Sequence, residues 1–267
     1  MDPEFWHERW KKNEIGFHQE DINGPLQKYW QSLKLDDNER VFVPLCGKSR
    51  DLLWIQSRGH PVLGVELSPL GVETFFKENR LQASSISDDK FIRWKCGTLD
   101  VLCGDFFDLR PSHLEGVAGV YDRASLVALP PEMREQYAKH FVSVLPQSGQ
   151  GTATKWATAR STYKNCAKRC ISRSKGENQT ATKKTQSYKF AVQGIRVLLL
   201  TLEYQQREMQ GPPFSVSEKE VNNLYGNNFK IVKLQEQEVS KDFPRFKERG
   251  LTSLTEKVFL LSMPENN

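Results

Sequence analysis

The sequence predicts an α/β fold in which βα units wind around a mostly parallel sheet, and three observations predict it. Residues 40–66 read as an apolar run (Val41, Phe42, Val43), a tight Pro44-Leu45-Cys46-Gly47-Lys48-Ser49 turn, apolar residues at helical spacing (Leu52, Leu53, Trp54, Ile55) and a second apolar run closing on Glu66. Short buried-type runs then alternate with helical patterns along most of the chain, the order expected of a parallel sheet. At 267 residues the chain has the length of one such domain with room for an insertion.

The elements follow in order. Asp2-Pro3-Glu4 opens a helix with a cap, a proline at the first helical position and an acid in the first turn. Phe5, Trp6 and Trp10 recur at helical spacing, a stripe that belongs either to the core or to a lid over a flat ligand. Ile15-Gly16-Phe17-His18 breaks that helix, and residues 1–35 read as a helical lid, with His18 taken as a structural histidine and 26–35 as a second short helix. After the 40–66 unit, Ser68-Pro69 caps a helix over 70–79. Residues 84–90 are polar and read as a surface loop, while 91–95 and 97–103 suggest a strand pair ending in Gly104-Asp105-Phe106-Phe107-Asp108.

The next strand, 117–121, leads into Asp122-Arg123, a charged pair at a strand's carboxyl end that either serves a ligand or pairs internally. Pro130-Pro131-Glu132 starts a periodic helix to Leu145, stopped by Pro146 and Gly149. Strand character returns over 195–204. Gly211-Pro212-Pro213-Phe214 then delivers Ser217-x-x-Glu220, a capping-box spacing. Residues 229–238 and 257–263 alternate as a closing strand pair, with Arg245, Phe246 and Arg249 between them, so the order implies a sheet of five to seven strands.

Residues 152–193 break this rhythm. They are rich in Thr, Ser, Lys and Gln, poor in aliphatics, and lack a period of 2 or 3.6, so they read as a disordered basic insertion within a single domain, 1–267. Ten Lys/Arg stand there against the single Glu177, a local net of +9; since the whole chain is +5, the remainder carries −4. The basicity therefore belongs to one segment, which weakens an RNA-binding or RNA-modifying reading, and its few aromatics match no RNA module. Five cysteines (Cys46, Cys96, Cys103, Cys166, Cys170) lack C-x-x-C spacing, which argues for reduced thiols and against a disulfide framework or a zinc site. Without a leader pattern or an apolar run of membrane-spanning length, the expectation is a cytoplasmic chain with neither membrane nor nucleic-acid partner.

Ligands of open α/β sheets sit outside the strands' carboxyl ends, and an acid about 20 positions after the glycine turn binds a ribose diol. Glu66 follows Gly47 at that spacing. A lone glycine does not suit a pyrophosphate, which wants G-x-G-x-x-G. It suits an adenosine carrying an amino acid on sulfur, as in S-adenosylmethionine; an ordinary βαβ unit ending in Glu is the plain alternative. Asp105, at the tip of a further strand, either takes an adenine amino group beside the Phe106 ring or simply closes a Gly-Asp turn.

At this point the chain resembles the thiopurine S-methyltransferases, bacterial-type members most closely. The resemblance is carried by Pro3-Glu4-Phe5-Trp6-His7-x-x-Trp10, Ile15-Gly16-Phe17-His18, Pro44-Leu45-Cys46-Gly47-Lys48-Ser49, Gly64-Val65-Glu66-Leu67-Ser68, Asp105-Phe106-Phe107-Asp108-Leu109, Asp122-Arg123-x-x-Leu126 and Gly211-Pro212-Pro213-Phe214. It implies a Rossmann-like class I methyltransferase fold, a seven-stranded mostly parallel sheet with helices on both faces and a terminal antiparallel pair. It also implies S-adenosylmethionine as cofactor and methyl transfer to aromatic or heterocyclic thiols. By matching position, Trp10, Leu45, Glu66 and Arg123 would bind the cofactor, Asp105 and Phe106 would lie beside the adenine, and Phe17 and Arg245 would face the substrate. A halide, small-thiol or selenium methyltransferase would share the cofactor half and differ in the pocket. The resemblance implies a monomer acting on a small molecule without a metal, and its one departure is the segment 152–193, far longer than an ordinary αβ connection.

Overall fold

The computed structural model describes residues 3–16, 18–146 and 194–264. Phe17, Cys166, Cys170 and the basic segment 152–193 lie outside the described residues.

Nine strands form one sheet in the order β3-β4-β5-β2-β1-β6-β7-β9-β8. They are β1 (Arg40–Val43), β2 (Val62–Glu66), β3 (Ser84–Asp88), β4 (Phe91–Cys96), β5 (Leu99–Cys103), β6 (Val117–Arg123), β7 (Arg196–Glu203), β8 (Lys230–Glu238) and β9 (Thr255–Ser262). The strands β5-β2-β1-β6-β7 pair in parallel. The antiparallel pair β9-β8 closes one edge, so the expected seven-stranded arrangement is present.

Two further strands extend it at the other edge, which corrects the loop expected at 84–90. There β3 pairs antiparallel with β4, and β4 with β5. Nearly all of β3 is exposed, since it is an edge strand with solvent on both faces, and its Ser-Ser-Ile-Ser-Asp sequence has no buried face to advertise in a pattern.

Helices cover both faces of the sheet. On one lie α2 (Gly24–Tyr29), α3 (Asp51–Ser57) and α4 (Pro69–Glu78), contributing Leu26, Leu52, Val72 and Phe75 to a core that also holds Tyr121 and Leu200. On the other lie α5 (Ser125–Ala128), α6 (Pro131–Val144) and α7 (Glu218–Tyr225), with Leu126, Tyr137, Phe141 and Val221 packed on Val120 and Leu199. Alternate strand residues therefore feed opposite cores, which is why these strands read as continuous apolar runs. The N-terminal α1 (Pro3–Lys11) docks on α4, and α8 (Pro244–Glu248) precedes β9.

The caps read from sequence form locally. Ser68 Oγ accepts from Gly71 N at 3.2 Å and Ser217 Oγ from Glu220 N at 3.1 Å. The second half of that capping box is diverted, because the Glu220 carboxylate accepts from buried Arg134 at 2.6 Å. Arg134 also donates to the carbonyls of Leu126, Leu129 and Ser215, tying α5, α6 and the approach to α7 together.

The chain runs outward from β1 to β2 and β5, then crosses to β6 on the opposite side of β1. The reversal puts a topological switch point between the carboxyl ends of β1 and β6, the place where open α/β sheets bind ligands. Among the described residues no helix is long and apolar enough to cross a membrane, and no group of His, Cys, Asp or Glu is arranged to hold a metal ion.

Candidate active site at the sheet switch point

Backbone conformation marks the switch point. Leu45 after β1 has φ +44°, Gly47 has φ +54°, and Ala124 after β6 has φ +74°. The left-handed region is natural for Gly47 but costs a residue with a Cβ roughly 1–3 kcal/mol, and such strain persists where the surrounding structure over-determines it. Leu45 and Ala124 line one small cavity with His18, Lys48, Tyr121 and Arg123; its volume is about 30 Å³, room for a water but not for a nucleoside.

Glu66 ends β2 with its carboxylate buried. Its Oε2 accepts from Gly47 N at 2.9 Å and its Oε1 from Ser68 N at 2.8 Å. The Trp10 indole is a further donor. Burial pushes the Glu66 pKa up to about 6, against the pull of these donors. The Leu67 amide is a fourth donor, and since a carboxylate offers about four acceptor positions, a ligand hydroxyl would take the place of one of them. Trp10 is buried against Gly71 in the first turn of α4, where an added Cβ would come within 2.8 Å of the indole. The structure thus brings Trp10 of α1 and Glu66 together, and Gly71, without a side chain, leaves room for the indole against α4.

Asp105 and Phe106 follow β5, the neighbour of β2. Asp105 Oδ1 accepts from Phe107 N at 2.9 Å and caps the short turn Phe106–Asp108. Phe106 is buried, one ring face stacked on Tyr137 with centroids 4.6 Å apart and its edge against His140. It is held by the core on the α6 side.

Arg123 and Asp122 do not pair with each other, because adjacent strand residues point to opposite faces. Asp122 turns toward α6 and accepts from Tyr137 Oη at 2.8 Å, with burial pushing its pKa up to about 6. Arg123 turns toward α3, its Nε 3.6 Å from Asp51 Oδ2. Asp51, only 2% exposed, also accepts from Tyr121 Oη at 3.1 Å and from Asn23 N at 2.9 Å. One buried carboxylate therefore fixes the guanidinium and anchors the strap that carries His18.

Beside this cavity a groove of about 730 Å³ opens between that strap, β8, β9 and the start of α8, lined by His18, Gln235, Phe243, Arg245 and Glu256 among others. The Arg245 guanidinium lies 5.9 Å from the Phe243 ring centroid and 4.9 Å from that of Phe246, and its buried Nε has no hydrogen-bond partner. Burial, with Arg123 and Arg249 nearby, holds the Arg245 pKa below its usual value. An added Cβ at Gly16 would come 3.9 Å from Arg245 Nη1, so the chain next to Phe17 approaches this arginine.

His18, read from the sequence as structural, lines both the cavity and the groove. Burial and then the Lys48 ammonium keep its pKa below the ordinary value. Sequence reasoning also passed over Asp51, Tyr121 and Glu256.

This arrangement can be set beside known proteins. The family described as Thiopurine S-methyltransferase (TPMT) matches residues 1–154 and 183–263. The thiopurine S-methyltransferase of Nitrosospira multiformis is 43% identical over 261 residues, covering 98% of each chain, and that of Pseudomonas fluorescens 39% identical over 259 residues, covering 97% of this chain and 98% of the relative. Among solved structures, a SAM-dependent methyltransferase from Anabaena variabilis superposes with a TM-score of 0.55 at 11% identity, over 98% of this chain and 95% of that one. The 1,6-didemethyltoxoflavin-N1-methyltransferase of Burkholderia thailandensis, solved with S-adenosylhomocysteine, gives 0.53 at 12% identity over 98% and 87%. The structural likenesses concern the fold; with the family match and the near-full-length relatives, the chain belongs to the thiopurine S-methyltransferase family.

Proposed function

We propose that this S-adenosylmethionine-dependent methyltransferase acts on the sulfur of aromatic and heterocyclic thiols. In this reading Trp10, Leu45, Glu66 and Arg123 hold the cofactor, Asp105 and Phe106 lie on its adenine side, and Phe17 and Arg245 face the substrate. The observation that carries it is the junction at one sheet edge of a small cavity built on the turn after β1, whose Gly47 amide Glu66 holds, with a larger groove lined by an arginine that has no anionic partner among the described residues.

The residues present fit such a cofactor. Leu45 and Gly47 turn the backbone inward, Glu66 offers a carboxylate for a ribose diol, and the nearest ammonium, Lys48, is tied to Glu78 at 2.8 Å. That tie balances the charge of the one lysine that lines the cavity. When bound, the cofactor supplies an electrophilic methyl group.

The protein's part is alignment, charge and exclusion of water. Aromatic thiols ionise readily near neutral pH, so proximity and a dry pocket supply most of what an in-line displacement needs. Arg123, held by Asp51, and Arg245, held over two phenylalanine rings, favour the thiolate and any anionic substituent. A groove of about 730 Å³ suits a ring system better than a halide, a small inorganic thiol or a selenium species. Free thiols at Cys46, Cys96 and Cys103 support a reducing, cytoplasmic setting, and a site assembled within one chain supports a monomer. The test is methyl transfer to an aromatic thiol, a small inorganic thiol, a halide and a selenium compound side by side. The aromatic thiol is expected to be the best acceptor, and preference for a small acceptor would overturn this assignment while leaving the cofactor half standing.

A further inference from the structure

Glu256 on β9 carries a largely buried carboxylate on which the positive charge of Arg123 and the negative charge of Asp242 act without direct contact. It is 9% exposed, lines the groove, and among the described residues accepts no hydrogen bond and makes no ion pair within 4.0 Å. Its neighbour Lys257 points to the other face, where it pairs with Glu203 and lies 3.6 Å from Glu236. The Glu256 oxygens keep contact with the solvent of the groove, where they can accept from a ligand.

Register places Glu256 on the same sheet face as Arg123. Arg123 is opposite Leu200 on β7, Leu200 is opposite Val258 on β9, and Glu256 is two residues from Val258. Two strand spacings separate β6 from β9, roughly 10 Å, the span of a substituted or bicyclic heteroaromatic. Between them and around them face the charges of Arg245 and Asp242 from the α8 region and of His18, Glu20, Asp21 and Lys28 from the N-terminal strap. The groove therefore has cations where sulfur charge would develop and, across from them on the sheet itself, the Glu256 carboxylate.

We propose that Glu256 receives the ring N–H proton when the acceptor is a heterocyclic thione, which makes it the residue that selects N–H thiones among the substrates of this site. The inference rests on the thiol-methyltransferase reading. In the thione tautomer the proton sits on the ring nitrogen and sulfur is doubly bonded to carbon. As the proton passes to Glu256, the N–H pair becomes the ring C=N bond and the C=S pair moves to sulfur. Sulfur uses that pair to bond the methyl carbon while the methyl group's old bond breaks toward the sulfonium sulfur, which leaves as a neutral thioether. The proton departs from Glu256 to water through the open groove. An aryl thiol without a ring N–H loses its proton to solvent and needs no such acceptor.

The test compares Glu256→Gln with wild type on a heteroaryl thione bearing a ring N–H and on an aryl thiol of similar size lacking it. The expected result is a loss of kcat/KM of about 100-fold on the thione, the low end for a missing proton-transfer group, with the aryl thiol nearly unaffected. Equal losses on both substrates, or no loss on the thione, would overturn the inference. Calorimetric titration with S-adenosylmethionine reports whether the variant is folded; if it is not, Glu256→Asp, which keeps the carboxylate and withdraws it, must impair the thione more than the thiol. Wild-type enzyme inactive on both compounds would instead overturn the thiol reading, and this inference with it.

Discussion

The two halves of the carboxyl edge are built on different principles. Around β1 and β2 the site is made of backbone: two positive φ angles in the turn after β1, and a carboxylate, Glu66, already held by two main-chain amides. Around β6, β9 and α8 it is made of side chains, several of them charged, and among the described residues Arg245 Nε lacks an acceptor and Glu256 makes no side-chain hydrogen bond or ion pair. Polar groups satisfied in the free protein set the shape that a ligand must fit. Those left unsatisfied define what the ligand must bring, since an unmade buried hydrogen bond costs more than a made one returns. The first half is thus suited to one invariant ligand, and the second to discriminating among acceptors.

Removing Arg123 attacks the seam between the halves and should have the largest effect. Its guanidinium lines the cavity and leans on Asp51 at 3.6 Å. In Arg123→Ala, kcat/KM for an aromatic thiol is expected to fall about 100-fold or more, close to the ~2.7 kcal/mol lost with one positioned transition-state donor. Stability should fall by much less, because Asp51 keeps Tyr121 Oη and Asn23 N as donors. Steady-state kinetics and thermal melts on the same preparation decide it. A drop in melting temperature that accounts for the whole activity loss would remove the special role of Arg123.

Glu66 tests the backbone half alone. Glu66→Ala should weaken S-adenosylmethionine binding by roughly 1.5–3 kcal/mol, the range for charge-assisted hydrogen bonds. Wild-type affinity should also depend on pH. With the Glu66 pKa raised to about 6 by burial, the ionised acceptor is present above that pH and lost below it, so affinity falls as pH drops through about 6 and the alanine variant loses this dependence. Stability carries the opposite sign. The folded chain holds a proton that an unfolded Glu of pKa 4.5 has released, so this group's contribution is fully present below 4.5 and is lost as pH rises through about 6. Calorimetric titration on both sides of pH 6 measures the first effect; pH-independent affinity in wild type would detach Glu66 from the ribose.

What the sequence disclosed follows the same division. The β1-turn-α3-β2 unit was legible because its chemistry is local: apolar runs, a glycine turn and an acid at a fixed spacing. The mostly parallel sheet and the strand pair that closes it were legible from alternation, while the strand order was not. The β3 edge strand was not, because hydrogen bonding on one side and water on both faces place no demand on its side chains. Ala124 gave no sign of its left-handed backbone, since alanine has no preference for that region and the conformation is imposed by the strands meeting there. Asp51, Arg123 and Tyr121 converge from α3 and β6, and a contact across 70 positions leaves no trace in local spacing. Such side-chain constellations need the fold before they can be seen.

The basic segment 152–193 gives the smallest expected effect and the sharpest test of where the site ends. It connects α6, which closes at Val144, to β7, which begins at Arg196. An αβ connection enters a parallel sheet at its amino edge, whereas both halves of the site lie at the carboxyl edge. The family description covers residues 1–154 and 183–263, so the common pattern passes over 155–182. The start of β7 is fixed without help from the segment: Met263 N donates to Ile195 O at 3.0 Å, Gly194 lies so close that an added Cβ would meet Met263 O at 2.6 Å, and Arg196 is in register with both Gly119 and Ser262. With register held by β6 and β9, a shorter connection cannot slip the strand without reversing its buried faces. Shortening a loop also changes closure entropy only logarithmically. We therefore propose that 152–193 is dispensable, and that joining Gly151 to Gly194 leaves kcat, KM and cofactor affinity unchanged and the melting temperature unchanged or slightly raised. Loss of S-adenosylmethionine binding in the joined chain would mean that the segment reaches across to the carboxyl edge, and the division of the site into two self-sufficient halves would have to include a third contributor.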